Sequence, residues 1–152
     1  MGEYSSSGGD ARSPLATAQA YLQAWNDHDG AAVRNLFAPD GTYMDPTLPE
    51  PLPPEGSEML VSVLHTAFPD YRFTFDRMSV DENVVFAPWR MQGTFTGPLP
   101  GVPGPTGATF DLPALDVITV GPDGIVSVVG YFDQKTYLEQ LGLEVVIATP
   151  KA

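Results

Sequence analysis

The hydrophobic pattern changes its period near residue 70, and this change limits the fold more than any other feature of the chain. Before that point apolar residues recur at helical spacing, as Tyr21, Leu22 and Trp25 do on one face. After it, over residues 71–76, aromatic residues alternate with polar ones, which is typical of a half-buried strand. Helices that precede a set of mostly antiparallel strands predict an α+β domain.

Polar residues and prolines predict where the helices begin. Ser13-Pro14 combines an N-cap side chain with a proline at the first helical position. Asp29 is expected to cap a second, short helix. The five prolines within residues 45–56 require a loop, after which Ser57 is expected to cap a third helix.

The remaining elements are predicted from alternation and turn residues. The second helix is expected to bury Phe37 and to be followed by a turn at 39–41 and an extended segment at 42–45. The later strands are predicted over 71–76, 84–97, 109–120 and 125–132, with a tight hairpin at 122–124 and a closing helical turn at 135–141. A sheet that curls around helices encloses an apolar pocket, which suits a small ligand.

Length and composition exclude several classes of protein. The 152 residues predict one domain over 13–145, between a disordered tail at 1–12 and a C-terminal tail at 146–152. The chain has no cysteine, so disulfide scaffolds, zinc ribbons and thiol nucleophiles are excluded. The two histidines, His28 and His65, lie far apart in sequence. The sequence has no metal-binding motif, and neither a metal nor another cofactor is expected.

The charge balance argues against two kinds of partner. Seven basic residues face nineteen acidic ones, which gives a net charge of −12. Nucleic-acid binding needs clustered lysine and arginine, and an anionic membrane surface would repel this chain. No apolar run approaches the roughly 20 residues that cross a bilayer. We therefore expect a cytoplasmic protein that binds a small molecule.

Three segments resemble a known superfamily. Ala20–Pro46 resembles the opening of nuclear transport factor 2-like domains, and within that group the SnoaL-like polyketide cyclases and ketosteroid isomerase. Gly93–Gly107 is similar to the SnoaL-like stretch in which Gly-Thr-His-x-Gly leads to a Pro-Thr-Gly turn. Leu115–Asp133 is similar to the last hairpin of both families. The resemblance implies a conical, curved mixed or antiparallel sheet wrapped around N-terminal helices, and a homodimer.

The resemblance also implies a candidate catalytic group. Asp45 matches the general base of ketosteroid isomerase, and Tyr21 matches its phenolic donor. Asp116 aligns with the second aspartate, which stays protonated in that family, although a shift of the hairpin register would place Thr119 there instead. A poorly solvated carboxylate is a strong base, and a neutral acid nearby can donate to an oxyanion.

The chain departs from the SnoaL-like pattern at two polar positions. Phe95 replaces the histidine of that family, and Gly130 replaces its catalytic aspartate. Gly130 is expected to enlarge a wide apolar cavity that fits a hydrophobic, partly oxygenated substrate. The residues expected to contact that substrate are Trp25, Tyr43, Leu64, Phe68, Trp89, Met91, Phe95, Ile118, Gly130 and Phe132.

These features leave three functions open. The first is a cofactor-independent cyclase or isomerase for a polyketide-like molecule in secondary metabolism, with Asp45 as base and Tyr21 and Asp116 as donors. The second is an epoxide-opening hydrolase or cyclase in which the two aspartates divide the acid and base roles. The third is a binding protein without acid–base chemistry, which holds one conformer of its ligand.

Overall fold

The helices and strands follow the predicted order. A computed structural model describes residues 13–75, 77–146, 148, 150 and 151. The predicted tail at 1–12 lies outside these residues. The helices of the described part are α1 (Pro14–Asn26), α2 (Gly30–Asn35), α3 (Pro54–Ala67) and α4 (Gln134–Gln140). Its strands are β1 (Phe37–Met44), β2 (Arg72–Phe75), β3 (Ser79–Asp81), β4 (Val84–Thr94), β5 (Thr109–Gly121) and β6 (Gly124–Phe132).

The strands form one mixed sheet, which confirms the α+β class. The order across the sheet is β1-β6-β5-β4-β2, and β3 also pairs with β4. β1 runs parallel to β6, whereas the other pairs are antiparallel. α1 packs on β2, β4 and β5 and covers one face of the sheet. Within the described residues, no helix is long and apolar enough to span a membrane.

Two of the three predicted helix caps are confirmed. The side chains of Ser13 and Asp29 each accept a hydrogen bond from the backbone N–H three residues later, at 3.1 and 3.0 Å. The predicted cap at Ser57 is wrong, because α3 begins at Pro54 with Pro53 as its N-cap residue. A proline at the first helical position already has the helical φ, so the helix starts one turn earlier than expected.

The segment around Phe37 differs from the prediction. Phe37 belongs to β1 instead of α2, and the strand continues through the predicted turn at 39–41. The pairing register with β6 shifts between Phe37 and Thr42. Pro39 and Gly41 therefore lie in an irregular part of the strand instead of in a turn. Gly41 is needed there because a Cβ would overlap the carbonyl oxygen of Ile125. β1 ends at Met44, immediately before the candidate base.

Candidate active site

Asp45 lies at the end of β1 with both carboxylate oxygens engaged. Its side chain is buried, and the residue is only 7% exposed. The Tyr43 hydroxyl donates to Oδ2 at 2.8 Å. The Thr47 backbone N–H and hydroxyl donate to Oδ1 at 2.7 and 2.6 Å. Three donors therefore converge on the two oxygens of this carboxyl group. The same hydrogen bonds therefore hold the turn that follows β1 and fix the orientation of Asp45, the candidate base.

Asp116 lies on β5, and its carboxyl group approaches Asp45 across the intervening strand β6. Alternation along β5 buries Asp116, and Thr119 has the opposite parity. The register pairs Asp116 with Gly130 on β6. A Cβ built on Gly130 would lie 3.1 Å from Oδ1 of Asp116 and 3.5 Å from Cβ of Asp45. The two acidic residues therefore flank the one position between them that has no side chain.

This placement corrects the expected role of Gly130. The glycine was expected to leave empty space in the cavity, but the carboxyl group of Asp116 occupies the space in front of it. Any larger residue at 130 would push the Asp116 carboxyl away from its observed position. Gly130 therefore serves to admit a carboxyl group from the adjacent strand.

Burial keeps the donors of this group protonated. Desolvation raises the pKa of the Asp116 carboxyl to about 7, the nearby Trp89 indole N–H opposes this shift, and the charge of Asp45 adds to it. Desolvation also raises the pKa of the Tyr21 phenol well above its ordinary value, and Asp116 adds to that shift. Tyr21 is thus a hydrogen-bond donor throughout the neutral range, and Asp116 is a donor in the acidic half of it.

Three buried side-chain donors are left without a partner in the described part of the chain, and two of them belong to residues that line this site. These two are the hydroxyl of Tyr21 and Nε1 of Trp89. The Trp89 N–H lies close enough to Asp116 to influence its ionisation, but it makes no hydrogen bond of normal geometry. Buried polar groups are rarely left unpaired in native structures, so an exception needs an explanation.

These groups line a cavity of about 50 Å³. Its walls are Tyr21, Trp25, Tyr43, Asp45, Thr47, Leu60, Leu64, Phe73, Trp89, Met91, Asp116, Phe132 and Tyr137. The expectation of a wide cavity is wrong, because a space of this size holds only a few water molecules. Leucines of α3 and aromatic side chains from the sheet and α4 fill the rest. A polyketide-sized ligand can enter only if some of these side chains move.

Most of the predicted site residues line this cavity, and four do not: Phe68, Phe95, Ile118 and Gly130, which lies behind the Asp116 carboxyl. Phe68 and Phe95 pack on each other with ring centroids 5.5 Å apart. They belong to an aromatic cluster with Phe110. Ile118 is fully buried in the core between β4 and β6. Phe68 misses the cavity because α3 ends at Ala67, so the chain has already left the helical face that carries Leu64.

Sequence reasoning missed four wall residues: Thr47, Leu60, Phe73 and Tyr137. Leu60 could have been found, because it lies one helical turn before Leu64 on the same face. Phe73 pairs with Met91, a residue that was expected to face inward. Tyr137 carried no signal, since the packing of the short helix α4 is not visible in its sequence.

The other surface and side-chain clusters offer less chemistry. A shallow surface groove of about 560 Å³ runs between α1, α2 and the β5–β6 turn, and Asp123 is its only ionisable residue. His28 and His65 meet in space with ring centroids 4.1 Å apart. Even so, within the described ranges no three His, Asp or Glu side chains are grouped to hold a metal ion. The interior cavity is therefore the candidate active site.

Comparisons with known proteins agree with this fold. Residues 18–129 match a family model described as a SnoaL-like domain. IdmH from Streptomyces antibioticus, a candidate polyketide cyclase, is 26% identical with a TM-score of 0.73, over 87% of this chain and all of its own. A candidate SnoaL-like polyketide cyclase from Jannaschia sp. CCS1 is 17% identical, with a TM-score of 0.76 over 90% of this chain and all of its own. A protein with a ketosteroid isomerase-like fold from Catenulispora acidiphila, in complex with trimethylamine, is 21% identical, with a TM-score of 0.71 over 88% of this chain and 96% of its own. No curated protein matches the sequence.

Proposed function

The chain belongs to the SnoaL-like domain family, and we propose that it is a cofactor-independent cyclase or isomerase for a hydrophobic, polyketide-like small molecule. The family and its polyketide cyclase neighbours support a cyclase-type function. The observation that carries the mechanism is the meeting of Asp45 and Asp116 at Gly130, inside an apolar cavity. Two acids in different environments can act as base and acid in one reaction.

In this mechanism Asp45 removes a proton from the carbon next to a substrate carbonyl. The electron pair of the C–H bond moves into the carbonyl group, and negative charge develops on its oxygen. Tyr21 and the neutral Asp116 donate hydrogen bonds to that oxygen. Return of the proton from Asp45 to another carbon completes an isomerisation. Attack of the enolate on a second carbonyl, with the proton passed to the new alkoxide, completes a ring closure.

The position of Asp116 compensates for a lost acid of the family. Gly130 stands where SnoaL-like cyclases carry an aspartate, and Oδ1 of Asp116 lies 3.1 Å from where a side chain at 130 would begin. The carboxyl group of Asp116, on β5, therefore lies close to the space that an aspartate side chain at position 130, on β6, would occupy. Phe95 has no such replacement and is fully buried in the aromatic cluster, which favours chemistry centred on Asp45.

The proposal can be tested without the natural substrate. Acetophenone is a hydrophobic ketone far smaller than a polyketide, although it too exceeds the cavity of about 50 Å³ and enters only when wall side chains move. Its methyl protons exchange with D₂O through the same proton-removal step, and proton NMR follows the exchange. We expect the wild type to accelerate the exchange and Asp45→Asn to lose at least about 100-fold of that acceleration. Asp40→Asn, an exposed aspartate on the same strand, is the matched control and should keep it. Equal exchange rates for Asp45→Asn and the wild type, with both folded by circular dichroism, would remove Asp45 from the mechanism.

The adjacent acids also fit the opening of an epoxide. A neutral Asp116 could protonate the epoxide oxygen while Asp45 activates water or an internal hydroxyl. Incorporation of oxygen from ¹⁸O-labelled water would indicate hydrolysis, and its absence from a cyclic product would indicate internal ring closure. A rate effect that survives replacement of both aspartates would instead indicate conformational templating.

We also propose that the chain forms a homodimer through the outer face of the sheet. Phe86 and Tyr131 are 38% and 55% exposed. The register pairs Phe86 with Val117 and Tyr131 with Leu115, on the face opposite the cavity. Light scattering should give a dimer mass for the wild type and a monomer mass for Tyr131→Lys. A monomeric wild type would refute the pairing.

A further inference from the structure

The two unpaired polar atoms of the cavity point to the chemistry of its ligand. An indole N–H is only a donor, and the raised pKa of the Tyr21 phenol keeps its O–H proton in place. Neither group has a partner within the described chain, although both are fully buried. On the acceptor side, the oxygens of Asp45 already take three hydrogen bonds from Tyr43 and Thr47. Two donors of the cavity therefore remain free to meet an acceptor atom of a ligand.

Trp89 is held where its N–H can meet a ligand at the catalytic carboxyl groups. On β4 it pairs with Ala114, while its neighbour Ala87 pairs with Asp116. Trp89 is thus the diagonal neighbour of Asp116 on the inner face, within reach of a long aromatic side chain. The ring of Phe73 packs on the indole with centroids 4.5 Å apart and fixes its orientation. A donor fixed in advance stabilises a developing charge without reorganising.

We propose that the indole N–H of Trp89 is a third donor to the substrate oxygen, beside Tyr21 and Asp116. It makes the site selective for a ligand whose buried end is a bare oxygen acceptor, such as a ketone, and against one that ends in an amine. This inference rests on the proposed function, because the oxygen it binds is the one on which charge develops. It adds a specificity-determining residue that supports the proton transfer through a hydrogen bond but does not itself take up or release a proton.

The test compares two ligands of nearly the same shape. Acetophenone carries a carbonyl oxygen, and α-methylstyrene carries a CH₂ group in its place. By calorimetry, Trp89→Phe should bind acetophenone about tenfold more weakly than the wild type, the loss expected for one hydrogen bond, and bind α-methylstyrene equally well. The infrared C=O stretch of bound ¹³C-labelled acetophenone should move to higher frequency in Trp89→Phe. Met91→Leu, a donor-free change on the same strand and wall, should affect both ligands alike and leave the stretch in place.

A second readout does not depend on the stability of the variant. The chain has two tryptophans, so the wild type gives two indole N–H signals in a ¹⁵N spectrum. Acetophenone should shift the Trp89 signal downfield, and α-methylstyrene should not. The signal that disappears in Trp25→Phe belongs to Trp25, and the signal that remains is therefore assigned to Trp89. No downfield shift, or an equal loss of both ligands in Trp89→Phe, would overturn the inference.

The outcomes separate this inference from the proposed base. Asp45→Asn should stop proton exchange but still bind acetophenone with the Trp89 signal shifted. If Asp45→Asn exchanges normally while Trp89→Phe loses acetophenone selectively, the base is wrong and the donor stands. If Trp89→Phe shows no selective loss while Asp45→Asn stops exchange, the donor is wrong and the base stands.

Discussion

Replacing Asp116 by asparagine should change how the stability of the protein depends on pH. Burial raises the pKa of this carboxyl from 3.8 to about 7. Each unit of that shift corresponds to about 1.4 kcal/mol, so charging Asp116 in the folded protein costs about 4 kcal/mol. An asparagine side chain has nearly the same shape as an aspartate and carries no charge at any pH. The change therefore removes the ionisation while keeping the packing.

The sign follows from proton binding. Between about pH 4 and pH 7 the folded chain holds a proton on Asp116 that the unfolded chain has lost, so the free energy of unfolding of the wild type falls as the pH rises. This contribution is complete below pH 4 and gone above about pH 7. Asp116→Asn should match the wild type near pH 4 and exceed it at pH 8 by up to about 4 kcal/mol.

Urea unfolding at several pH values, followed by tryptophan fluorescence, measures this difference. Asp111→Asn is the matched control on the same strand, because Gln92 and Arg90 lower the pKa of this exposed carboxyl. Its effect should be constant from pH 5 to pH 8, since Asp111 is ionised throughout that range. A difference between Asp116→Asn and the wild type that does not change with pH would refute the reasoning.

Three further substitutions test separate parts of the structure. Gly130→Ala places a Cβ 3.1 Å from the Asp116 carboxyl. It should therefore lower the free energy of unfolding, measured with urea, by about 1–3 kcal/mol and slow the exchange of the acetophenone methyl protons. Ser13→Ala removes the α1 cap and should cost about 1 kcal/mol in the same assay, with exchange unchanged. Phe95→Ala should lower the free energy of unfolding, measured by calorimetry, by about 3–5 kcal/mol. The folded protein should still accelerate acetophenone proton exchange as the wild type does, because Phe95 does not line the cavity.

Local chemistry explains what the sequence could predict. The caps at Ser13 and Asp29 depend on side chains within three residues of the backbone N–H groups that they satisfy. The inward position of Asp116 follows from alternation along one long strand, which buries every second residue of β5. Ser57 shows where a local rule fails, because a stronger start signal at Pro54 precedes it.

Long-range packing explains what the sequence could not predict. The role of Gly130 depends on its register with Asp116 and on where β1 places Asp45, and neither is encoded near residue 130. The small volume of the cavity depends on how side chains from α3, β2 and α4 fill it together. Tyr137 reaches the cavity only because α4 packs back onto β5. Such features arise from contacts between distant segments.

The pH dependence of proton exchange tests the division of labour between the two aspartates most directly. The rate of acetophenone exchange by the wild type, corrected for the reaction without protein, should fall as the pH rises through about 7, because Asp116 then loses the proton that it donates. Asp116→Asn should exchange more slowly at pH 6 and show no such fall. A wild-type rate that keeps rising above pH 7, or the same profile in Asp116→Asn, would contradict the assignment of Asp116 as the acid beside the base Asp45.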